Sequence, residues 1–362
     1  MWPDRRILDL FRIEFPIIQA PMAGPTLSDM VIGVAEAGGL GSLPTANLSP
    51  AQVRSELETI RRGTKQPINV NFFCHAPAEI DPAREAAWRA RLAPYYRELG
   101  ADPTPKPAAS RAPFDDELCR LVEEFTPEIV SFHFGLPAPA LLDRVRATGA
   151  VIVSSATTAE EARWLEARGC DAIIAQGAEA GGHRGCFLGG DPLAVAATQA
   201  GTLALVPQIV DAVARPVIAA GGIADARGIA AAFALGAAGV QIGTAYLFCP
   251  EARITAMHRA ALCNAQDNAT ALTNVFTGRP ARGIVNRAMR ELGPLATDAP
   301  AFPLAGAALA PLKTAAETAG SGDFGSLWSG QAARVGRRDP ALTAGELTRA
   351  LARETLAKFG RG

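Results

Sequence analysis

The chain has 362 residues, 49% hydrophobic and 20% charged, a mix that builds a packed core and excludes disorder for the bulk of the sequence. Lys and Arg number 35 against 36 Asp and Glu, a net charge of −1, so no general attraction for nucleic acid or an anionic membrane surface is expected. The 35 glycines and 27 prolines are scattered, without the period of a fibre or the density of a linker.

The first residues carry Asp4, Arg5, Arg6, Asp9, Arg12 and Glu14, which break any apolar signal-peptide core. No run of about 18 apolar residues is free of charges and glycines, so no transmembrane helix is expected. The six cysteines, Cys74, Cys119, Cys170, Cys186, Cys249 and Cys263, show no C-x-x-C and no zinc spacing. Free thiols, a cytoplasmic location and no metal site are the resulting expectations.

In chain order, apolar runs read as strands at Ile17–Met22, Gly39–Leu43, Ile68–Phe73, Ile129–Phe134, Val151–Ser155, Ala172–Gln176, Pro216–Ala220 and Gly239–Gly243. Each is nearly continuous rather than alternating, as parallel strands covered on both faces require. Between them lie helices: Ser28 to Ala37 ending at Gly38-Gly39, Thr158 to Arg168 ending at Gly169, and Asp225 to Leu235 ending at Gly236. Eight strands alternating with helices predict an α/β fold, a closed (β/α)8 TIM barrel over residues 1–249, with an open doubly wound sheet as the competitor.

Two stretches depart from the repeat. Residues 75–113 read as an insertion with one helix, Pro82–Leu99. Residues 250–326, punctuated by Pro280, Pro294, Pro300, Pro303 and Pro311, read as a small helical subdomain capping one barrel end over the substrate. Residues 327–362 return to the barrel, ending in an amphipathic helix that starts at Thr343 or Asp339.

In such a barrel the active site lies at the C-terminal ends of the strands. That rule selects Pro21-Met22-Ala23-Gly24, Asn69 and Asn71, and His133 on the first, third and fourth strands. It then selects Gln176 with Gly181-Gly182-His183 on the sixth, Gly221-Gly222 on the seventh and Gln241-Ile242-Gly243-Thr244 on the eighth. Glycines after the last two let main-chain amides approach an anion, and barrels often bind phosphate there. Asn69 and Asn71 share one side of their strand, and with Gln176 they suit a heterocycle's carbonyls and ring nitrogens or, alternatively, buried backbone groups. His183, in a glycine loop at this face, is the natural base for an acidified carbon. His133 either orients substrate or is a satisfied core histidine. His75 reads as packing and His258 as irrelevant to the site. No H-E-x-x-H, G-x-S-x-G, Walker A or dinucleotide fingerprint occurs, and acids are sparse at the strand ends.

Taken together, Gln19-Ala20-Pro21-Met22-Ala23-Gly24, Asn69-Val70-Asn71-Phe72-Phe73-Cys74-His75, Ser131-Phe132-His133-Phe134-Gly135, Ala175 to His183, Ala219 to Ile223 and Leu327-Trp328-Ser329-Gly330-Gln331-Ala332 resemble the FMN-dependent nitronate monooxygenases, class I-like, over nearly the whole chain. The glycine-glycine-histidine loop is similar in flavin-dependent enoyl-acyl-carrier-protein reductases as well. The resemblance implies FMN in the barrel mouth, with Pro21, Met22 and Ala23 near it and Asn71 and Gln176 at the ring. Gly181, Gly182, Gly221, Gly222, Gln241, Ile242, Gly243 and Thr244 would surround its phosphate. It implies His183 as the catalytic histidine and His133 as a second one, with Tyr246 and Lys313 facing substrate. Only three tyrosines are present, few for the aromatic lining of that family's pocket. The implied reaction oxidises alkyl nitronates (propionate 3-nitronate or nitroalkanes among the candidates) by O2 to a carbonyl compound and nitrite, by way of a flavosemiquinone. In it His183 would act as a base toward a nitroalkane or, if protonated, as a positive partner of the nitronate. An NAD(P)H-dependent enoyl reductase, a non-redox phosphate-binding barrel enzyme and a catalytically silent flavin binder stay open. The partners are small molecules and O2, with a homodimer left open.

Overall fold

The computed structural model describes residues 1–104 and 111–360, so part of the expected insertion lies outside the described residues. Its strands are β1 (Ile17–Gln19), β2 (Gly41–Pro44), β3 (Ile68–Phe73), β4 (Ile129–His133), β5 (Val151–Ala156), β6 (Ala172–Gln176), β7 (Gly182–His183), β8 (Val217–Ala220), β9 (Gly239–Ile242), β10 (Thr270–Thr273) and β11 (Ala281–Ile284). Eight of them form one parallel sheet in the order β1-β9-β8-β6-β5-β4-β3-β2. Its two ends meet where the Leu40 amide donates to the Ile17 carbonyl and the Gln19 amide to the Leu40 carbonyl, both at 3.0 Å. The sheet thus curls into an α/β TIM barrel, and the open-sheet competitor falls.

The barrel interior is filled by Ile18, Ile129, Val153, Ile174 and Ile218, one from each of five strands. Ile7 and Phe11, from a short helix Arg6–Phe11, join them beside the strand starts. That helix escapes sequence reading because six residues among charges show too little periodicity. The expected strand Ile17–Met22 stops early at Gln19, since Pro21 has no amide to continue the ladder.

Helix starts follow side-chain caps. Thr158 accepts from the Glu161 amide at 3.1 Å, opening the helix Ala159–Ala167. Asp225 accepts from the amides of Arg227 and Gly228, opening Ala226–Ala234. Thr343 and Glu346 make a reciprocal capping box that starts the last helix, Ala344–Phe359.

Residues 250–326 are not helical alone. They carry β10 and β11, which pair antiparallel, and β11 pairs in turn with β7. Both cap strands are four residues long, too short for a period to show in the sequence. The cap has its own core, in which Trp88 and Leu92 of the insertion helix Pro82–Leu99 pack among Met289, Leu309, Leu312 and Phe324. Trp88 Nε1 donates to the Ala305 carbonyl at 3.3 Å, and Arg287 reaches Glu98 at 2.5 Å. Among the described residues no helix is long and apolar enough to cross a membrane, and all six cysteines are free thiols.

Candidate active site

A cavity of about 1390 Å³, counting its open mouth, sits at the C-terminal ends of the barrel strands beneath the cap. No Asp or Glu is among the described residues that line it, and Arg111 is the one Arg or Lys there.

Small residues from four chain segments form one end of this cavity: Gly181-Gly182, Gly221-Gly222 after β8, Gly243-Thr244 after β9, and Ser329-Gly330. Gly221 and Gly222 have φ of +114° and +70°, the region L side chains avoid. The amides of Gly222 and Ile223 donate to no other group among the described residues. Thr244 Oγ1 accepts from the Gly330 amide at 2.9 Å, tying the returning C-terminal segment to the β9 turn. Free amides at a cavity end that no carboxylate lines suit an anion.

Beneath that end lies a polar support absent from the sequence reading. Glu179 accepts from the Thr202 amide at 2.8 Å, and Thr202 Oγ1 lies 2.9 Å from both Glu179 Oε2 and the Gly221 carbonyl, its one proton serving one of the two at a time. Arg184 is fully buried and donates to the carbonyls of Gly177 and Gln176, each at 2.6 Å. Burial pushes its pKa down to about 10.

Along the cavity wall, Asn71 Nδ2 donates to Ser131 Oγ at 2.9 Å. Gln176 uses both ends of its amide: Oε1 accepts from the Gly185 amide at 2.8 Å, and Nε2 donates to the His183 carbonyl at 3.1 Å. Gln241 lines the cavity between these groups and the glycine end, and Pro21, Met22 and Ala23 face it from the β1 turn. Asn69 is buried instead, donating to Ser42 Oγ at 3.0 Å, and does not line the cavity.

His183 is held from three sides. Its backbone is fixed by pairing with Ala281 across β7 and β11. Its carbonyl also lies 3.3 Å from His133 Nε2, and His133 Nδ1 lies 2.6 Å from Ser155 Oγ. Its Nε2 lies 3.0 Å from Thr277 Oγ1. The Thr277 hydroxyl in turn reaches the Arg279 carbonyl at 3.3 Å. A hydroxyl donating there leaves its oxygen to accept, so His183 carries its proton on Nε2. Nδ1, with no partner among the described residues and not sealed from solvent, keeps the lone pair.

The imidazole of His183 is flanked by Phe73, Phe134, Phe302 and Trp328, with ring centroids 5.2–6.1 Å away. The enclosure that few tyrosines left unfilled is therefore supplied by phenylalanine and tryptophan. Burial, followed by the charges of Arg111, His133 and Arg279, holds the His183 pKa well below its ordinary 6.5. His133 is pushed down to about 3, mainly by burial and then by Arg279. Both histidines are neutral near pH 7, which makes His183 a proton acceptor rather than a resident cation.

Three residues named from the sequence lie elsewhere. Tyr246 is wholly buried, its hydroxyl 2.8 Å from Thr348 Oγ1 and away from the cavity. Lys313 sits on the helix Ala305–Thr318, half exposed, 3.8 Å from Glu317, and does not line the cavity. Ile242 points its side chain into the core, leaving only its main chain toward the β9 turn.

The chain matches the family model "Nitronate monooxygenase" over residues 4–354. It is 42% identical over 352 residues to a nitronate monooxygenase of Pseudomonas aeruginosa, covering 96% of this chain and 98% of that protein. A Paraburkholderia phytofirmans nitronate monooxygenase is 41% identical over 97% of this chain and 94% of its own length. Among solved structures, nitroalkane oxidase from Streptomyces ansochromogenes superposes with a TM-score of 0.87 at 36% identity, covering 99% of this chain and 100% of that one. FabK from Thermotoga maritima superposes with a TM-score of 0.71 at 26% identity, covering 98% and 97%. The barrel agrees with these likenesses, and the chain belongs to the nitronate monooxygenase family.

Proposed function

We propose that the protein oxidises alkyl nitronates, and nitroalkanes after deprotonation, with O2 to a carbonyl compound and nitrite, using FMN bound in the cavity. The observation that carries this reading is a neutral, cavity-facing imidazole, His183, in the same cavity as a glycine end that no carboxylate lines. FMN fits the donor set: unclaimed amides at Gly222 and Ile223 and the Thr244 turn suit its phosphate, while Asn71, Gln176 and Gln241 suit its ring edge. Bound there, the flavin would supply the one-electron chemistry with O2 that no side chain on this wall offers.

The protein's own residues do the rest. His183 Nδ1 accepts the α-proton of a nitroalkane, with Thr277 holding the tautomer that leaves that lone pair free. His133 and Gln176 fix the His183 main chain so that the imidazole keeps its place. Phe73 and Trp328 line the cavity and exclude water around the alkyl chain. A substrate that enters already as the nitronate needs no base, only a site for its charge.

The test is His183→Asn. The wild type is expected to purify yellow and release nitrite from nitroalkanes. The variant is expected to keep its flavin while turnover of neutral nitroalkanes falls by about 10²- to 10⁴-fold. Full activity in the variant removes the base assignment. The Gly181-Gly182-His183 loop also suits a second reading, an NAD(P)H-dependent enoyl reductase. Anaerobic NADPH bleaches the flavin under that reading and leaves it oxidised under ours.

A further inference from the structure

We infer that Arg111 is the substrate-binding residue that grips the two oxygens of the nitronate group beside His183. This rests on the functional reading above and deepens it by naming what recognises the reacting group.

Arg111 lies in the cavity wall and is the sole Lys or Arg among the described residues that line it. Its Nε donates to Asn47 Oδ1 at 3.2 Å, which fixes the plane of the guanidinium. Its two terminal nitrogens have no partner among the described residues, and neither is sealed away as a buried orphan. It also forms no ion pair with a carboxylate among the described residues, unlike Arg54, Arg120, Arg144 and Arg253 at the surface. A cation desolvated in a cleft without an acid has a high cost, and the group that offsets it is a ligand anion. Burial depresses the Arg111 pKa in keeping with that cost.

The fork geometry specifies the anion. Two parallel N–H donors match a planar group with two oxygens, and a nitronate has that shape. Placement agrees, because Arg111 and His183 line the same cavity, and the Arg111 charge contributes to the low His183 pKa. The two side chains therefore serve one reacting centre: the imidazole at the α-carbon and the guanidinium at the adjoining nitro oxygens. Since His183 is neutral, it supplies no positive charge to a nitronate, and Arg111 does. As the α-proton of a nitroalkane leaves, the charge that develops on the same oxygens meets the same donors.

The experiment uses the flavin-loaded protein, Arg111→Met and Arg111→Lys, with nitronates of equal chain length that carry or lack a carboxylate. For Arg111→Met, kcat/KM is expected to fall by about 100-fold for both nitronates while the flavin spectrum is kept. Arg111→Lys is expected to recover part of the loss, because charge returns without the fork. Nitrate, a planar anion used as a binding probe, is expected to perturb the flavin spectrum of the wild type and not of Arg111→Met. A loss confined to the carboxylate-bearing nitronate assigns Arg111 to a remote group and overturns the inference. So does unchanged kcat/KM for both nitronates, or loss of flavin from Arg111→Met. A wild type that releases no nitrite from any nitronate overturns the functional reading instead.

Discussion

Thr277 Oγ1 meets His183 Nε2 at 3.0 Å across 94 positions of sequence, joining the cap to the barrel's glycine loop. Removing the hydroxyl without changing shape, as in Thr277→Val, frees the imidazole to rotate and to swap tautomers. We expect kcat for a neutral nitroalkane to drop by about 10- to 100-fold, with flavin content unchanged and Thr277→Ser restoring most of the rate. A Thr277→Val enzyme as fast as wild type would show that the hydroxyl does not set the base.

Gly221 combines close packing with a left-handed backbone at the anion end. A Cβ there would lie 2.9 Å from Thr202 Oγ1, 3.0 Å from the Ala180 amide and 3.1 Å from the Gly177 carbonyl, at a φ of +114°. Gly221→Ala is expected to destabilise the fold by about 1–3 kcal/mol. It should also lower the flavin-to-protein ratio measured by absorbance. Wild-type flavin occupancy in this variant would place the phosphate elsewhere.

Arg184 holds two strand-end carbonyls from a wholly buried position. In Arg184→Met both carbonyls lose the guanidinium, and the Gly177 carbonyl keeps only the Ala180 amide at 3.1 Å. The expected cost is about 3 kcal/mol, read as a lowered urea midpoint. A neutral outcome would mean that those carbonyls find other donors.

Acid should weaken the fold before it protonates the carboxylates. His75 and His258 are pushed down to about 4 and His133 to about 3, each chiefly by burial, from an ordinary 6.5. Below pH 6.5 the unfolded chain binds these protons and the folded chain refuses them. Stability is therefore complete above that pH and falls as pH drops toward 4, by up to about 1.4 kcal/mol per pH unit per histidine. Urea midpoints measured between pH 7.5 and 5 check the sign, and a flat profile is incompatible with buried neutral histidines.

The barrel was legible because each strand is a short, largely apolar run, and Ile68–Phe73 and Ala172–Gln176 carry the ends read from sequence. Its site residues on strand ends were legible for the same reason: once the strands are placed, Asn71, His133 and Gln176 fall at the mouth. What the cap contributes was not. Thr277, Phe302 and Trp328 reach His183 from segments with no strand rule to point them out. Arg111 and Arg184 look like surface residues in a sequence, since burial of a cation has no local pattern. Lys313 failed in the opposite way: it sits on an outward helix face beside Glu317, one turn along. Tyr246 belongs to the packing between the β9 turn and the last helix.

The bond from Trp88 to the Ala305 carbonyl spans 217 positions, because the insertion helix leaves the barrel after β3 while its packing partners follow β9. During synthesis that helix must wait, its apolar face unmatched, until nearly nine-tenths of the polypeptide has been made. The roof over the reaction chamber thus settles late, and every barrel strand is translated before it closes.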